Sequence, residues 1–279
     1  MRSHALVVRA FHSFVIECEK QRDTSMPDLS LKDKVAIVTG GSGDIGGAIT
    51  RKLAEQGATT IATYVGNEKA AIELVQSIQD KGGDARAVQM DQRSPESINL
   101  LIENVHKTEG SLDILINNAA WNIGIPFPQL DALTPEIWDR VLETNVRGPF
   151  LLARAGEEML KAGRGGHIVN ISSAGGISPG SSSIAYSSSK AALNHLTRCL
   201  AVAMAPKVSV NCIAPGLVEN TRMAQRLPEK VAEGARRQAV LGLVGQPEDI
   251  ADQTFSFVTS RSVTGQTIVI DGGMPGAMR

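Results

Sequence analysis

Three cysteines in 279 residues, Cys18, Cys199 and Cys212, are few and scattered. They form no CxxC pair and no Cys/His ligand spacing, which excludes a disulfide scaffold and a zinc module. Neither sign of charge is in excess: 28 Lys and Arg stand against 29 Asp and Glu, for a net charge of −1. So balanced a chain offers no electrostatic basis for holding nucleic acid or an anionic membrane. No apolar run approaches the roughly 18 residues of a membrane span. The sequence has no internal repeat, no low-complexity tract and no Pro/Ser linker after residue 30, which favours one domain over two. Small and aliphatic residues are abundant: 27 glycines and 42% hydrophobic residues suit a globule of tight turns and buried strands.

Residues 1–25 differ from the rest. Arg2 and Arg9 stand among apolar residues, as in a targeting peptide, but Glu17, Glu19 and Asp23 are acidic. The apolar stretch Phe11–Ile16 is short, is interrupted by His12 and Ser13, and precedes no clear cleavage site. The simplest expectation is a start at Met26; a structured or partner-binding extension and a targeting segment are the alternatives. Free cysteines without a convincing signal make the cytoplasm the expected location.

From Lys34 onward strand and helix signals alternate. VAIV at 35–38 is a continuous β-branched run of the kind buried on both faces of a sheet. Strands are expected at 60–64, 85–90, 113–116, 167–171, 208–213 and 267–270. Helices are expected at 48–56, at 68–81 with an Ile72, Val75, Ile78 stripe, after the Ser94-Pro95 cap and N1 proline, from Thr134-Pro135 as one long helix towards Lys161, and at 186–205. Residues 217–245 are more polar and hold no strand pattern, so a helical insertion or substrate lid is expected there. The alternation predicts an α/β fold: a Rossmann-type doubly wound parallel sheet of about seven strands, with helices on both faces, in a single domain over 26–279.

Thr39-Gly40-Gly41-Ser42-Gly43-Asp44-Ile45-Gly46 joins the first strand to a helix. Backbone N–H groups at a helix N-terminus bind phosphate, and glycines let the chain approach it closely. The turn therefore predicts nucleotide binding. At the end of the second strand, where an acid would accept the ribose hydroxyls of NAD, the chain has Tyr64, and no acid lies among 62–67. That absence favours NADP(H) and leaves NAD(H) open, since the nearest cation is Lys69.

Tyr186 and Lys190 lie at i and i+4 on one helix face. A free tyrosine has a pKa of about 10, and a neighbouring ammonium lowers it. A tyrosine so placed can donate a proton to a carbonyl oxygen or remove one from an alcohol. Ser173 follows the fifth strand at its carboxyl end, where ligands of open α/β sheets bind, and Asn145 lies in the preceding long helix.

Taken in order, these motifs resemble the short-chain dehydrogenase/reductases over residues 31–273. The match comprises the Thr39–Gly46 turn, Asp91, Asn117-Asn118-Ala119-Ala120, Asn145, Ser173, Tyr186, Lys190, Pro215-Gly216 and Asp271-Gly272-Gly273. Within the family the pattern is most similar to 3-oxoacyl-thioester reductases and general alcohol dehydrogenases. The resemblance implies that Tyr186 is the general acid/base, that Lys190 tunes it and holds the nicotinamide ribose, and that Ser173 bonds the substrate oxygen. Ser172 competes for that last role but stands fourteen residues from Tyr186, where thirteen is usual. Asn145 would hold a water of a proton relay. The cofactor would meet Gly40, Ser42, Gly43, Asp44, Ile45, Tyr64, Asp91, Gln92, Asn118, Tyr186, Lys190 and Val218. The resemblance also implies a homotetramer, with a dimer as the alternative, and a small carbonyl or alcohol substrate.

Three positions depart from the family's pattern. Asp44 replaces the middle glycine of the turn; either its side chain points away or it caps the following helix, and the cap is the favoured reading. Ala120 replaces a glycine. Asn220 precedes Thr221, so the threonine expected near the cofactor is displaced. Two other functions share such a fold: a non-catalytic nucleotide-binding regulator, and an isomerase or dehydratase. The full Asn/Ser/Tyr/Lys set speaks against the regulator. His195, nine residues beyond Tyr186, points away from it, and Trp121 fits either a substrate pocket or plain packing.

Overall fold

A computed structural model of the chain describes residues 30–163 and 165–276; residues 1–25 and Met26 lie outside the described residues. Seven parallel strands form one sheet: β1 (Val35–Val38), β2 (Thr59–Tyr64), β3 (Asp84–Gln89), β4 (Ile114–Asn117), β5 (Gly166–Ile171), β6 (Val208–Pro215) and β7 (Thr267–Ile270). Their spatial order is β3-β2-β1-β4-β5-β6-β7. The order reverses between β1 and β4, which pair in register with Ala36 opposite Ile114. The residues from Leu31 onward form one compact unit.

Side chains alternate across each strand, so each strand feeds two cores. One face gathers Ile37, Ile61, Leu115, Ile168 and Val210 against Ile98, Leu101 and Val105 of α3 (Pro95–Glu109), Leu151 and Leu152 of α5 (Gly148–Ala155) and Leu200 of α7 (Ile184–Ala203). The other gathers Val38, Ile116, Val169 and Ile213 against Ile49 and Leu53 of α1 (Asp44–Glu55) and Ile250, Phe257 and Val258 of α10 (Pro247–Thr259). Two buried faces explain the unbroken apolar runs of β1 and β4.

Two helices differ from expectation. In α2 (Glu68–Gln79) the buried stripe is Ala71, Leu74 and Ile78, while Ile72 is 56% exposed. The helix packs on Ala54, Ala62 and Ala85, and this small-residue floor accepts the face one residue back from the predicted one. The long helix expected from Pro135 is divided into α4 (Pro135–Leu142), a π-turn at Glu143–Arg147, α5 and α6 (Glu157–Ala162). Pro149, at the start of α5, has no N–H for the carbonyl four residues back, that of Asn145, and Gly156 separates α5 from α6. The Gly148 N–H bonds Glu143 O in the wider π pattern, and the Thr144 carbonyl, which Gly148 would serve in an α-helix, accepts from Gln92 Nε2 at 2.6 Å. The segment 217–245 carries α8 (Arg222–Gln225) and α9 (Glu229–Gln238), closed at its base by a bridge between Val218 and Gly245.

The turn after β1 is tight enough to require its glycines. Gly40 has φ +59°, and a Cβ on Gly46 would stand 2.2 Å from Gly40 O. Gly46→Ala is therefore expected to destabilise the chain by about 1–3 kcal/mol, read as a lower urea midpoint; an unchanged midpoint would show that the turn can relax.

His167, half-buried at the start of β5, titrates well below the usual imidazole range. Burial, with the Lys34 charge adding to it, pushes its pKa down to about 4, and its Nδ1 lies 2.8 Å from Ser209 Oγ. In the unfolded chain the same imidazole takes its proton near pH 6.5. Between these values protons favour the unfolded chain, so stability falls as pH drops from about 6.5 to about 4. His167→Gln is expected to flatten urea midpoints measured across that window; a slope as steep as the parent's would refute this assignment.

Candidate active site

The sequence-predicted residues gather at the carboxyl edge of the sheet, around the β1/β4 reversal where open α/β sheets bind ligands. Thr39 ends β1, and its hydroxyl accepts the N–H groups of Asn118 (3.0 Å) and Ala119 (2.9 Å). Asn118 Nδ2 returns hydrogen bonds to Thr39 O (2.9 Å) and Gly40 O (3.2 Å). The Asn118 amide therefore ties β4 to the glycine turn and has no donor left over.

Ser42, Gly43, Asp44 and Ile45 are partly exposed where the turn opens to solvent. Gly43 is the N-cap of α1 and supplies no side-chain cap. A glycine-lined turn leading into such a helix end is a cradle for an anionic group, so these residues fit the diphosphate of a dinucleotide. The expectation that Asp44 caps α1 is corrected. Its carboxylate turns away to accept from the Arg222 backbone N–H at 2.8 Å, and it pairs with Arg222 Nε at 3.3 Å.

At the end of β2, Tyr64 donates from its hydroxyl to Glu68 Oε1 at 3.1 Å. An acid thus stands beside this position after all, brought back from the first turn of α2, just outside the 62–67 stretch. Lys69 is exposed and faces Glu73 at 3.8 Å. Beyond β3, Asp91 forms a short ion pair with Arg93 (2.7 Å), and hydrogen bonding to that guanidinium holds its carboxyl below the usual range. Gln92 is buried and spans Ala119 O (3.0 Å) and Thr144 O, while its own Oε1 has no partner.

The Asn145 side chain is fully engaged. It accepts from Trp121 N (2.8 Å) and donates to Trp121 O (3.0 Å) and Ser189 Oγ (3.0 Å). This clamps Trp121, whose ring lies 4.3 Å from the Arg140 guanidinium. Trp121 was legible in the sequence only as a candidate for the pocket; its clamp and cation–π partner were not.

Helix α7 starts at Ser183, whose hydroxyl accepts from Tyr186 N at 3.2 Å, so the cap fixes the tyrosine in the first turn. Lys190, one turn on, is 2% exposed and donates from Nζ to Ile171 O at 2.8 Å. Its Nζ lies 5.5 Å from the centre of the Tyr186 ring. The two serines after β5 separate cleanly. Ser172 Oγ donates to the Lys190 backbone carbonyl at 3.0 Å, whereas Ser173 Oγ accepts from Gly175 N at 3.1 Å and stands near enough to the Tyr186 hydroxyl to lower its pKa. Burial pushes the phenol up to about 12, against the lowering effect of Ser173, and pushes Lys190 down to about 8. Here burial outweighs the effect of Ser173, and the Tyr186 phenol stays neutral at physiological pH.

Val218 is buried in the same core cluster as Ile213. The displaced threonine is accounted for: Thr221 Oγ1 donates to Val218 O (2.8 Å) and accepts from Ala224 N (3.1 Å). The additional residue, Asn220, is absorbed at φ +57°. Sequence reasoning missed Arg222, Glu68 and the buried relay Asn117–Asn170–Thr197, in which Asn117 Nδ2 donates to Asn170 Oδ1 (2.8 Å) and Asn170 Nδ2 to Thr197 Oγ1 (2.9 Å).

Comparison with known proteins identifies the family. The family described as short chain dehydrogenase matches residues 34–232. The 3-oxoacyl-acyl-carrier-protein reductase of Aquifex aeolicus is 35% identical over 88% of this chain and 99% of its own. The 3beta-hydroxysteroid dehydrogenase 1 of Eggerthella lenta is 34% identical over 88% of this chain and 94% of its own. A solved 7 alpha-hydroxysteroid dehydrogenase, complexed with NADH and 7-oxo glycochenodeoxycholic acid, superposes with a TM-score of 0.82 at 30% identity, covering 88% of this chain and 96% of that one. The chain belongs to the short-chain dehydrogenase/reductase family, oxidoreductases that act on CH–OH groups and their carbonyl counterparts.

Proposed function

We propose that the protein is an NADP(H)-preferring carbonyl reductase or alcohol dehydrogenase, close in chemistry to the 3-oxoacyl reductases, with Tyr186 as its general acid/base. The observation that carries this reading is the buried Lys190 Nζ, held by Ile171 O and 5.5 Å from the centre of the Tyr186 ring, with Ser173 near enough to the phenol to lower its pKa. A bound reduced nicotinamide would supply the hydride. The chain supplies everything else. Ser173 and Tyr186 converge as two hydroxyl donors for one carbonyl oxygen, and the neutral phenol gives up its proton as that oxygen gains charge. Lys190, leaving Ile171 O, would stabilise the phenolate and hold the ribose. Asn145 contributes to a water relay through its backbone carbonyl, because its side chain is committed to Trp121 and Ser189 and the usual helical donor to that carbonyl is Pro149.

The dinucleotide would lie across the Gly40–Gly46 turn, with Asp91 and Gln92 towards the adenine, Asn118 framing the ribose and the Val218 backbone near the carboxamide. Tyr64, with no acid in 62–67, supports the 2′-phosphate of NADP(H), and Glu68 opposes it. The 217–245 segment is read as the lid; its exposed Met223, Leu227 and Val231 favour a substrate with an apolar body. Exposed Phe150 on α5 and Val202 on α7 fit a homo-oligomeric, tetrameric assembly. Among the described residues no helix is long and apolar enough to cross a membrane, and a cytoplasmic enzyme is the reading adopted.

Tyr186→Phe is expected to lower kcat for ketone reduction about 10³-fold while NADPH still binds. Since deprotonating the phenol is uphill, alcohol oxidation should rise from about pH 7 to about pH 9 while ketone reduction stays flat. A Tyr186→Phe enzyme with full turnover would sink the assignment.

Cofactor choice is read by fluorescence titration. NADPH is expected to bind more tightly than NADH, Tyr64→Asp to reverse the order, and Glu68→Gln to widen it. Tighter NADH binding to the parent protein would overturn the preference.

A further inference from the structure

Two departures from the family's pattern act at one place: Asp44 meets Arg222, which lies 178 residues further on and two beyond Asn220. Asp44 sits in the first turn of α1, on the cradle that fits a diphosphate. Left alone, a carboxylate there would repel such a ligand. Asn220 shifts the following residues by one, and Arg222 arrives beside Asp44: its backbone N–H and its Nε both point to the carboxylate. The far end of the same guanidinium is closer still to the cradle, because a Cβ on Gly43 would lie 3.8 Å from Arg222 Nη2. Arg222 leads α8, which also reaches the opposite rim, where Asn122 Nδ2 contacts Met223 Sδ at 3.8 Å. The Asp44–Arg222 contact is solvent-facing, with 59% of the arginine side chain exposed, so it is weak and exchangeable. A guanidinium carries five N–H donors in a fixed fork, and one carboxylate leaves several unused.

We propose that Arg222 is a positioning residue for the cofactor's diphosphate, and that Asp44 is the placeholder that keeps its guanidinium over the glycine turn until the diphosphate takes its place. This rests on the dinucleotide reading above. The exchange would draw α8, and with it the 217–245 segment, onto the bound cofactor. It would act on the diphosphate and not on the 2′ position, and so serve NADPH and NADH alike.

The test is equilibrium binding of NADPH, NADH, ADP-ribose and adenosine to the purified chain, with thermal melts to check folding. Arg222→Ala is expected to weaken the first three equally, by about tenfold, and to leave adenosine unchanged. Arg222→Lys should recover part of the loss. Asp44→Asn is expected to tighten all three diphosphate ligands, since it removes both the repulsion and the competitor. Arg222→Ala affinities within twofold of the parent's would overturn the proposal while leaving the dinucleotide reading intact. So would an Asp44→Asn loss as large as that of Arg222→Ala, which would mark the pair as a fixed staple. A parent protein that binds none of the diphosphate ligands would remove the dinucleotide reading, and this proposal with it.

Discussion

A parallel strand buried on both faces satisfies its backbone through its neighbours and nothing else, until the sheet ends. At that edge the last N–H and C=O groups need partners that the ladder no longer supplies. Here the partners are short polar side chains placed one per strand end. The Thr39 hydroxyl takes two N–H groups from the β4 end, Asn118 returns to the β1 end, and Gln92 reaches to Thr144. The polar chemistry at the edge is thus a structural requirement of the fold before it is a functional one. The buried relay from Asn117 through Asn170 to Thr197 extends it beneath the site to α7, the helix that presents Tyr186 and Lys190.

Much of this was legible in the sequence because it is local. The VAIV run, the Ser94-Pro95 and Thr134-Pro135 caps and the i, i+4 spacing of Tyr186 and Lys190 each depend on neighbours a few residues away. What was illegible depends on partners far along the chain. Asp44 was read as a cap because capping is the local use of an aspartate at a helix start; its partner is Arg222. The α2 stripe was misplaced by one residue because two apolar stripes compete on that helix and the alanine floor on α1, β2 and β3 decides between them. Glu68 was passed over because it lies one residue beyond the turn, yet a helix start brings it back to Tyr64.

The tyrosine–lysine pair shows how two opposed effects share a small volume. An ammonium near a phenol favours the phenolate, whereas burial disfavours every charge. With Lys190 bonded to Ile171 O, burial wins for both groups, and their pKa values move apart, up to about 12 for the phenol and down to about 8 for the ammonium. Both groups are therefore sensitive to any charge that enters the cleft, as groups at the exposed end of a helix are not.

The π-turn at Glu143–Arg147 has a geometric consequence for the outside of the molecule. Successive residues of a helix are about 100° apart around its axis, so admitting one more residue into a turn rotates everything downstream by about that angle. The π-turn thereby sets which way α5 faces: Leu151 and Leu152 are turned into the sheet and Phe150 out to solvent. The turn that holds Asn145 also fixes the azimuth of Phe150, so the interior end and the exterior face of this helix cannot vary independently.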